Sequence, residues 1–220
     1  MTQLVQAKAT ASAVATAPPT VVKLGGSIIR GPHLAHWLET IAGAKGPIVV
    51  VPGGGALADE VRQCQHQLGF DDVTAHRMAL LAMDQLAWAI SGLRSGFEVG
   101  SHIEELRTIL RRGQIAVWAP STFLAGRTDI KASWQLTSDS LALWLSAKID
   151  ARLCAVIKSV TFTRSKKSVQ GLTQDGIVDA AFPGMLAESR IPTAIFGRGD
   201  EAAFCASLAG DASTHHLALA

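Results

Sequence analysis

The stretch TVVKLGGS, residues 20–27, indicates the fold, because a run of strand-forming residues ends there in a lysine and two glycines. Valine and threonine favour a strand, and glycines let the backbone turn tightly and bring its N–H groups close to an anion. Lys23 adds a point charge at the strand end. The stretch predicts a strand followed by an anion-binding turn containing Gly25, Gly26 and Ser27. The alternative is a plain tight turn with a surface lysine.

On both sides of this stretch, short apolar runs alternate with segments that have the apolar spacing of helices. The apolar runs predict strands buried on both faces, at residues 20–24, 47–51, 114–118, 153–157 and 193–196. The helical spacing predicts helices at residues 33–42, 56–68, 71–93, 103–112 and 138–149. This alternation is typical of an α/β sandwich with a mainly parallel sheet. In such sheets, ligands bind at the carboxyl ends of the strands.

A second glycine turn, Gly53, Gly54 and Gly55, lies between a valine-rich strand and a helix. Free N–H groups and the helix dipole favour anion binding at such a position, and a flexible connector is the alternative. The same glycines match a loose dinucleotide-binding fingerprint, which requires an acidic residue at the end of a second strand about 20 positions later. Asp71 and Asp72 have that spacing but begin a predicted helix. This context argues against a nicotinamide-dependent oxidoreductase.

Charged side chains follow two further predicted turns. Ser138 and Asp139 open a helix, where they serve either as an N-cap or as groups that orient lysines or a magnesium ion. Lys158 ends a buried strand and is expected at the same edge of the sheet as Lys23, unless it is only a solvated lysine. Two lysines and an aspartate suit phosphoryl transfer, which depends on positioning and on charge neutralisation. The chain has no GxxxxGK[ST] motif, so it is not a P-loop NTPase.

Composition excludes several other classes of protein. The chain has 220 residues, of which 48% are hydrophobic, and this composition favours one globular domain over residues 20–220. Its net charge of only +2 argues against nucleic-acid binding. No apolar run approaches the roughly 20 residues that cross a bilayer. Residues 1–19 predict a disordered tail rather than a secretory signal. The three cysteines lie far apart in the chain, which indicates reduced thiols in a cytoplasmic protein. The histidines do not cluster with cysteines at the spacing of a metal site.

The order and spacing of these turns resemble the amino acid kinase family, with matching segments at residues 22–27, 51–55 and 137–142. The resemblance implies a three-layer αβα sandwich around a sheet of about eight mostly parallel strands. It also implies an ATP- and Mg²⁺-dependent phosphotransferase that acts, as a homo-oligomer, on a small-molecule phosphate acceptor. By the same resemblance, Lys23 contacts the transferred phosphoryl group, the glycines of both turns cradle phosphates, and Asp139 orients the lysines.

The resemblance also assigns Lys158 to catalysis and to the nucleotide site, together with Ser138 and Ser159. The chain departs from the family in two places. Where many members have an acidic Thr-Asp-Val segment, residues 158–161 read KSVT, and where many have a Gly-Thr strand, residues 210–214 read GDAST. With the short chain and the helix at 76–87, the first departure makes the sequence similar to the aminomethylfuran-phosphate kinase group, whose acceptor is a phosphomonoester used in methanofuran-type cofactor biosynthesis.

Some residues and functions keep alternatives open. Arg30, His33 and Arg77 are candidates to hold the acceptor phosphate, or else form a solvated edge. Trp134 directly precedes the third turn and is a candidate ligand contact, although tryptophans usually belong to the core. The long helix at 71–93 is a candidate oligomer contact. The alternative function is a non-catalytic nucleotide- or oxyanion-binding or storage protein on the same fold.

Overall fold

Six parallel strands form the central sheet in the part of the chain that the computed structural model describes, residues 17–162 and 168–211. In chain order they are β1 Thr20–Leu24, β2 Ile48–Pro52, β3 Phe97–Gly100, β4 Ile115–Trp118, β5 Leu153–Ile157 and β6 Thr193–Phe196. The sheet order is β3-β4-β2-β1-β5-β6, so that β1 lies in the middle between β2 and β5. The tail predicted at residues 1–19 therefore lies outside the described residues except for residues 17–19. Residues 212–214, the end of the segment that departs from the Gly-Thr strand of the family, also lie outside them.

The five strands predicted from apolar runs are confirmed, with bounds that differ by at most one residue. The expectation of about eight strands is wrong for the described ranges, where six are present. The strand that the pattern missed is β3, at the edge of the sheet. Phe97 and Gly100 are buried there while Glu98 and Val99 are only half-buried, so this edge strand lacks the continuous apolar run of a central strand.

Helices connect successive strands and cover the sheet. Those described are α1 Gly26–Ile29, α2 Leu34–Gly43, α3 Gly55–Leu68, α4 Asp72–Leu93, α5 Ile103–Arg111, α6 Ser121–Leu124, α7 Ser138–Lys148, α8 Val169–Gln174, α9 Phe182–Ser189 and α10 Glu201–Leu208. The five predicted helices are confirmed as α2, α3, α4, α5 and α7, with ends shifted by one residue. Asp71, predicted to begin α4, is instead its N-cap and accepts a hydrogen bond from the Thr74 N–H.

Alternate residues of the strands pack into two separate apolar cores, one on each face of the sheet. Val21 and Val156 belong to the core that contains α7, whereas Val22 and Ile157 belong to the core beneath α2 and α10. This alternation is the period-two pattern of strands covered on both faces. It confirms the three-layer αβα sandwich. None of the helices in the described ranges combines the length and apolarity that a membrane span requires.

The strand register brings the three predicted turns to one edge of the sheet. Lys23 of β1 is level with Val51 of β2 and with Val156 of β5, so the carboxyl ends of these strands coincide. Helix α7 reaches the same edge with its N-terminus, and nine of its eleven residues are buried. The edge lies where the chain crosses from one side of β1 to the other, which is the usual ligand position in doubly wound sheets.

Candidate active site

Lys23, Asp139 and Lys158 form a buried charge cluster at this edge, called the lysine–aspartate clamp below. The Asp139 carboxylate lies between the two ammonium groups, with Oδ1 2.6 Å from Lys23 Nζ and Oδ2 2.6 Å from Lys158 Nζ. Lys23 and Asp139 are each 3% exposed. Lys158 follows β5 directly, and its side chain is 15% exposed. The three residues predicted to be catalytic are therefore brought into direct contact.

The electrostatics of the clamp follow from its burial and its charge balance. Burial by itself raises the pKa of the Asp139 carboxyl, but the charges of Lys23 and Lys158 outweigh burial and hold that pKa below its usual value. Burial and the nearby charge of Lys23 lower the pKa of Lys158 to about 8, against the opposing attraction of Asp139. With one carboxylate for two ammonium groups, the protonated clamp keeps a net positive charge, which suits an anionic ligand.

The two glycine turns are tied to the strand ends by backbone hydrogen bonds. The Gly25 N–H donates to the carbonyl of Ile157 at 2.9 Å, and the Gly53 N–H donates to the carbonyl of Leu24 at 2.8 Å. The first turn is thus anchored to β5, and the second turn to β1. Because these bonds extend the ladder of the sheet past its last residues, both turns lie at fixed positions beside the clamp.

Side chains are excluded where the turns meet, in what we call the glycine cradle, namely Gly25, Gly26, Gly53, Gly54 and Gly55. A Cβ on Gly26 would lie 2.6 Å from the Cα of Gly55, and a Cβ on Gly53 would lie 2.7 Å from the nitrogen of Gly26. Gly55 also has a φ of +52°, which favours glycine. Since α3 begins at Gly55, its first backbone N–H groups have no partner within the helix and remain open to an anion.

A serine pair connects the cradle to the segment after β5. The hydroxyl oxygens of Ser27 and Ser159 lie 2.7 Å apart and share a hydrogen bond. Ser27 is exposed and Ser159 is half-buried. The pair therefore joins the end of the first glycine turn to the residue that follows Lys158.

A cavity of about 320 Å³ opens beside the glycine cradle. Its apolar wall comes from α4 and from both sides of the α7 N-terminus, and consists of Ala79, Leu80, Met83, Leu136 and Leu141. Its polar lining consists of Ser27, Arg30, Asp59, Arg62, Asp72, His76, Ser133, Thr137 and Ser138. Burial lowers the pKa of His76, so its imidazole is neutral near pH 7. A volume of this size fits a small molecule.

Trp134 closes one side of this cavity. The Arg62 guanidinium stacks on its ring, 4.3 Å from the ring centre. Its indole N–H donates to Gln65 Oε1 at 2.6 Å, and the Gln65 amide donates to Asp72 Oδ1 at 2.9 Å. These contacts hold a half-buried aromatic ring in one orientation against the cavity. That Trp134 contacts a ligand stays a prediction.

The predicted site residues are not all in the cavity. Gly26, Ser27, Gly53, Gly54, Gly55 and Ser138 line it, whereas the clamp residues, Gly25 and Ser159 lie next to it. Among the three candidates for the acceptor phosphate, Arg30 lines the cavity and pairs with Asp59 at 3.1 Å. Arg77 lines a second cavity of about 410 Å³, and His33 lines neither of the two.

Sequence reasoning missed several residues that line the cavity. Asp59 and Arg62 lie one turn apart on α3, directly after the second glycine turn, and both face the cavity. Their spacing of three residues on a helix that begins at a predicted anion site was a usable signal. Asp72 and His76 are four residues apart on α4 and face the cavity in the same way. Within the described ranges, no group of three or more histidine, cysteine, aspartate or glutamate side chains is arranged to hold a metal ion.

The sequence matches one described family over most of its length. The model of the amino acid kinase family aligns with residues 18–171, which include β1 to β5 and all three turns. A curated relative, the [5-(aminomethyl)furan-3-yl]methyl phosphate kinase of Methanocaldococcus jannaschii, is 27% identical over 187 residues. That alignment covers 78% of this chain and 84% of the relative.

Solved structures share the fold at low sequence identity. The uridylate kinase from Archaeoglobus fulgidus superposes with a TM-score of 0.63 at 18% identity, covering 88% of this chain and 96% of that one. The UMP kinase from Ureaplasma parvum gives 0.61 at 14% identity, covering 88% and 92%. The UMP kinase from Bacillus anthracis gives 0.61 at 15% identity, covering 86% and 92%. At these identities the structures support the fold alone.

Proposed function

This chain belongs to the amino acid kinase family and is a kinase, and from that premise we propose that it transfers the γ-phosphoryl group of ATP to a small phosphomonoester. The observation that carries the proposal is the clamp beside the glycine cradle, with Asp139 2.6 Å from both lysines. Phosphoryl transfer requires little covalent help from the protein. It requires reactants held in line and positive charge near the transferred oxygens.

In the proposed reaction, an oxygen of the acceptor phosphate attacks the γ-phosphorus and forms the new P–O bond. The bond from the γ-phosphorus to the β,γ-bridging oxygen breaks, and ADP leaves with that electron pair. No base is needed, because the attacking oxygen is already ionised near pH 7. Lys23 neutralises the phosphoryl group during transfer, Lys158 neutralises charge on the nucleotide side, and Asp139 keeps both ammonium groups in place.

The nucleotide is proposed to bind on the side of the clamp formed by Ser138, Lys158 and Ser159. Mg²⁺ is proposed to accompany its phosphates and to neutralise part of their charge. The donor set of the protein fits a magnesium ion that is held mainly by phosphate oxygens, since the Asp139 carboxylate is engaged with two lysines. The cradle fits phosphates, because a Cβ at Gly26 or Gly53 would collide with backbone atoms.

The chemistry of the cavity supports an acceptor that is both anionic and ring-shaped. Arg30 and Arg62 supply positive charge near the cradle, and the Trp134 face and the apolar wall suit a flat ring. Asp59 and Asp72 also line the cavity and can accept a hydrogen bond from an amine beside their present contacts with Arg30 and Gln65. The Methanocaldococcus jannaschii relative is named for an aminomethylfuran phosphate, which combines these three groups. We propose an acceptor of that class, in the biosynthesis of a methanofuran-type carrier.

A coupled ADP-release assay tests the function. The panel contains aminomethylfuran phosphate, uridylate, isopentenyl phosphate and acetylglutamate, and the expected result is turnover with the furan phosphate. Lys23→Ala is expected to lose about 10²- to 10³-fold in kcat. Lys45→Ala, which changes an exposed lysine before β2, is the control and is expected to keep full activity. Near wild-type turnover in Lys23→Ala would contradict the proposal, and ATP binding without any product would favour a non-catalytic binding protein.

The quaternary structure stays a prediction. Helix α4 exposes large apolar side chains at Val73, Leu81, Trp88 and Leu93. Exposed apolar side chains of this size suit contact with a second copy of the chain. Sedimentation analysis measures the oligomeric state, and a monomer at all concentrations would contradict the expected homo-oligomer.

A further inference from the structure

Asp179, in the connection between α8 and α9, lies against the first turn of α7. Its carboxylate accepts four hydrogen bonds from two residues of that turn. Oδ2 accepts from the Thr137 N–H at 2.9 Å, from the Thr137 hydroxyl at 2.8 Å and from the Ser140 N–H at 3.1 Å. Oδ1 accepts from the Ser140 hydroxyl at 2.5 Å. The donors and the acceptor are about forty residues apart in the chain, so this contact depends on the fold.

These bonds replace a cap that α7 lacks. The first N–H groups of a helix need partners from outside the helix, and a side chain at the N-cap usually supplies one. Thr137 occupies the N-cap of α7, but its side chain makes no capping hydrogen bond. Asp179 takes over that task, and its negative charge is also favourable at the positive end of the helix dipole.

The capped turn is the one that carries Asp139. Thr137 and Ser140 flank this residue on either side, so their hydrogen bonds fix the backbone from which the Asp139 carboxylate projects. A second tie supports the first, because the Ala181 N–H donates to the carbonyl of Gln135 at 2.9 Å. The segment is anchored further by Phe182, which is fully buried in the same core as the apolar side of α7.

We infer that Asp179 is a positioning residue that fixes the first turn of α7, so that Asp139 holds Lys23 and Lys158 in the geometry needed for phosphoryl transfer. This inference rests on the proposed function. Asp179 acts only through hydrogen bonds to the turn and not through its charge on the substrate. An asparagine therefore keeps the role, because its carboxamide oxygen accepts the two N–H bonds while its NH₂ group donates to the Ser140 hydroxyl.

The test compares Asp179→Ala with Asp179→Asn in the full chain. The alanine variant is expected to lose about 10²-fold in kcat, because a clamp displaced by about 1 Å misplaces the reacting groups. Its KM for ATP is expected to change less than its kcat, since Ser138 is the one proposed nucleotide contact that lies on this turn. The asparagine variant is expected to recover most of the kcat. Glu188→Ala, an exposed carboxylate on α9, is the control and is expected to match the wild type.

A second measurement does not depend on turnover. The pKa of Lys158, about 8 and set by burial with Lys23 and Asp139 facing it, is followed by ¹³C NMR of labelled lysine. In Asp179→Ala it is expected to fall further, because the attraction of a displaced Asp139 weakens. If the alanine variant does not fold, Thr137→Val and Ser140→Ala, which each remove one hydroxyl contact, are expected to show the same changes to a smaller degree.

Three outcomes would overturn the inference. One is a folded Asp179→Ala protein with wild-type kcat and an unchanged Lys158 titration. Another is an asparagine variant as impaired as the alanine variant, which would mean that the charge of Asp179 is required. The third is the absence of any change in both hydroxyl variants when the alanine variant does not fold. A wild-type protein that releases no ADP with any acceptor contradicts the proposed function instead, and the Lys158 titration then decides the inference.

Discussion

The lysine–aspartate clamp and the glycine cradle lie at the same edge of the sheet but depend on opposite properties. The clamp consists of long charged side chains, and Asp139 contacts both lysines at 2.6 Å although it is only 3% exposed. The cradle depends on the absence of side chains, since a Cβ at Gly26 would meet backbone at 2.6 Å. The difference separates two contributions to one reaction. In the proposed function, the clamp sets charge during the chemical step, and the cradle sets where the phosphates lie.

The strongest way to break the clamp is Asp139→Asn, because it removes the carboxylate that contacts both lysine ammonium groups. We expect a loss of about 3–5 kcal/mol in the free energy of unfolding and of about 10²- to 10³-fold in kcat. The matched control is Asp129→Asn. Asp129 also contacts two basic side chains, Arg127 and Lys148, but on the surface.

Urea denaturation and turnover measure both variants. The control is expected to lose about 1 kcal/mol or less, because exposed ion pairs are screened by solvent, and to keep its activity. Equal losses of stability in the two variants would contradict the view that burial makes the clamp different.

We expect a single added methyl group to disrupt the glycine cradle. In Gly53→Ala the added Cβ would lie 2.7 Å from the backbone nitrogen of Gly26. We expect a cost of about 1–3 kcal/mol in the free energy of unfolding and a fall of about 10²-fold in kcat/KM. Gly184→Ala on α9 is the control, where no atom lies within 4 Å of the added Cβ. It is expected to raise stability by about 0.5–1 kcal/mol, and thermal unfolding with turnover distinguishes the two variants.

The pH dependence separates clamp from cradle, since only the clamp titrates. Lys158 has a pKa lowered to about 8, chiefly by burial, so kcat/KM for ATP, which reports the free enzyme, is expected to fall as the pH rises through about 8 and the ammonium is lost. Its contribution to stability moves the other way. Between about 8 and its ordinary pKa of about 10.4, the unfolded chain binds the extra proton, so this contribution rises with pH.

The variant Lys158→Arg sharpens this prediction, because a guanidinium keeps its charge throughout the range. The fall of kcat/KM near pH 8 is expected to disappear in this variant, at a lower overall rate. Initial rates between neutral and alkaline pH measure both proteins. A wild-type kcat/KM for ATP that stays constant through pH 8 would show that the proton on Lys158 is not required.

The smallest effect is expected at the cavity wall, away from both clamp and cradle. Trp134→Ala removes the ring on which Arg62 stacks. We expect the KM for the acceptor to rise about 5- to 10-fold, with kcat and the KM for ATP unchanged. Trp134→Phe keeps an aromatic face and is expected to show a smaller rise. A higher KM for ATP instead would place the ring in the nucleotide site.

How well the sequence predicted each feature depends on how far apart its contacting residues lie in the chain. The central strands were predictable because β1, β2 and β5 are buried on both faces and read as near-continuous apolar runs, interrupted in β1 by Thr20 and Lys23. Edge strand β3 was not, since half of its side chains are less buried. The clamp was predictable because Lys23 lies near the end of β1 and Lys158 directly follows β5, and the parallel register of these strands brings both to the same edge of the sheet. Asp179 had no local signal, because its partners, Thr137 and Ser140, are distant in the chain.

The product of the reaction tests the central claim most directly. ³¹P NMR of a mixture of wild-type protein, MgATP and aminomethylfuran phosphate identifies the phosphorus species that form. The account predicts that ADP appears together with a second pair of coupled diphosphate doublets from the new P–O–P linkage, and that both form about 10²- to 10³-fold more slowly with Lys23→Ala. ADP with inorganic phosphate alone, or diphosphate formed equally well by Lys23→Ala, would contradict it.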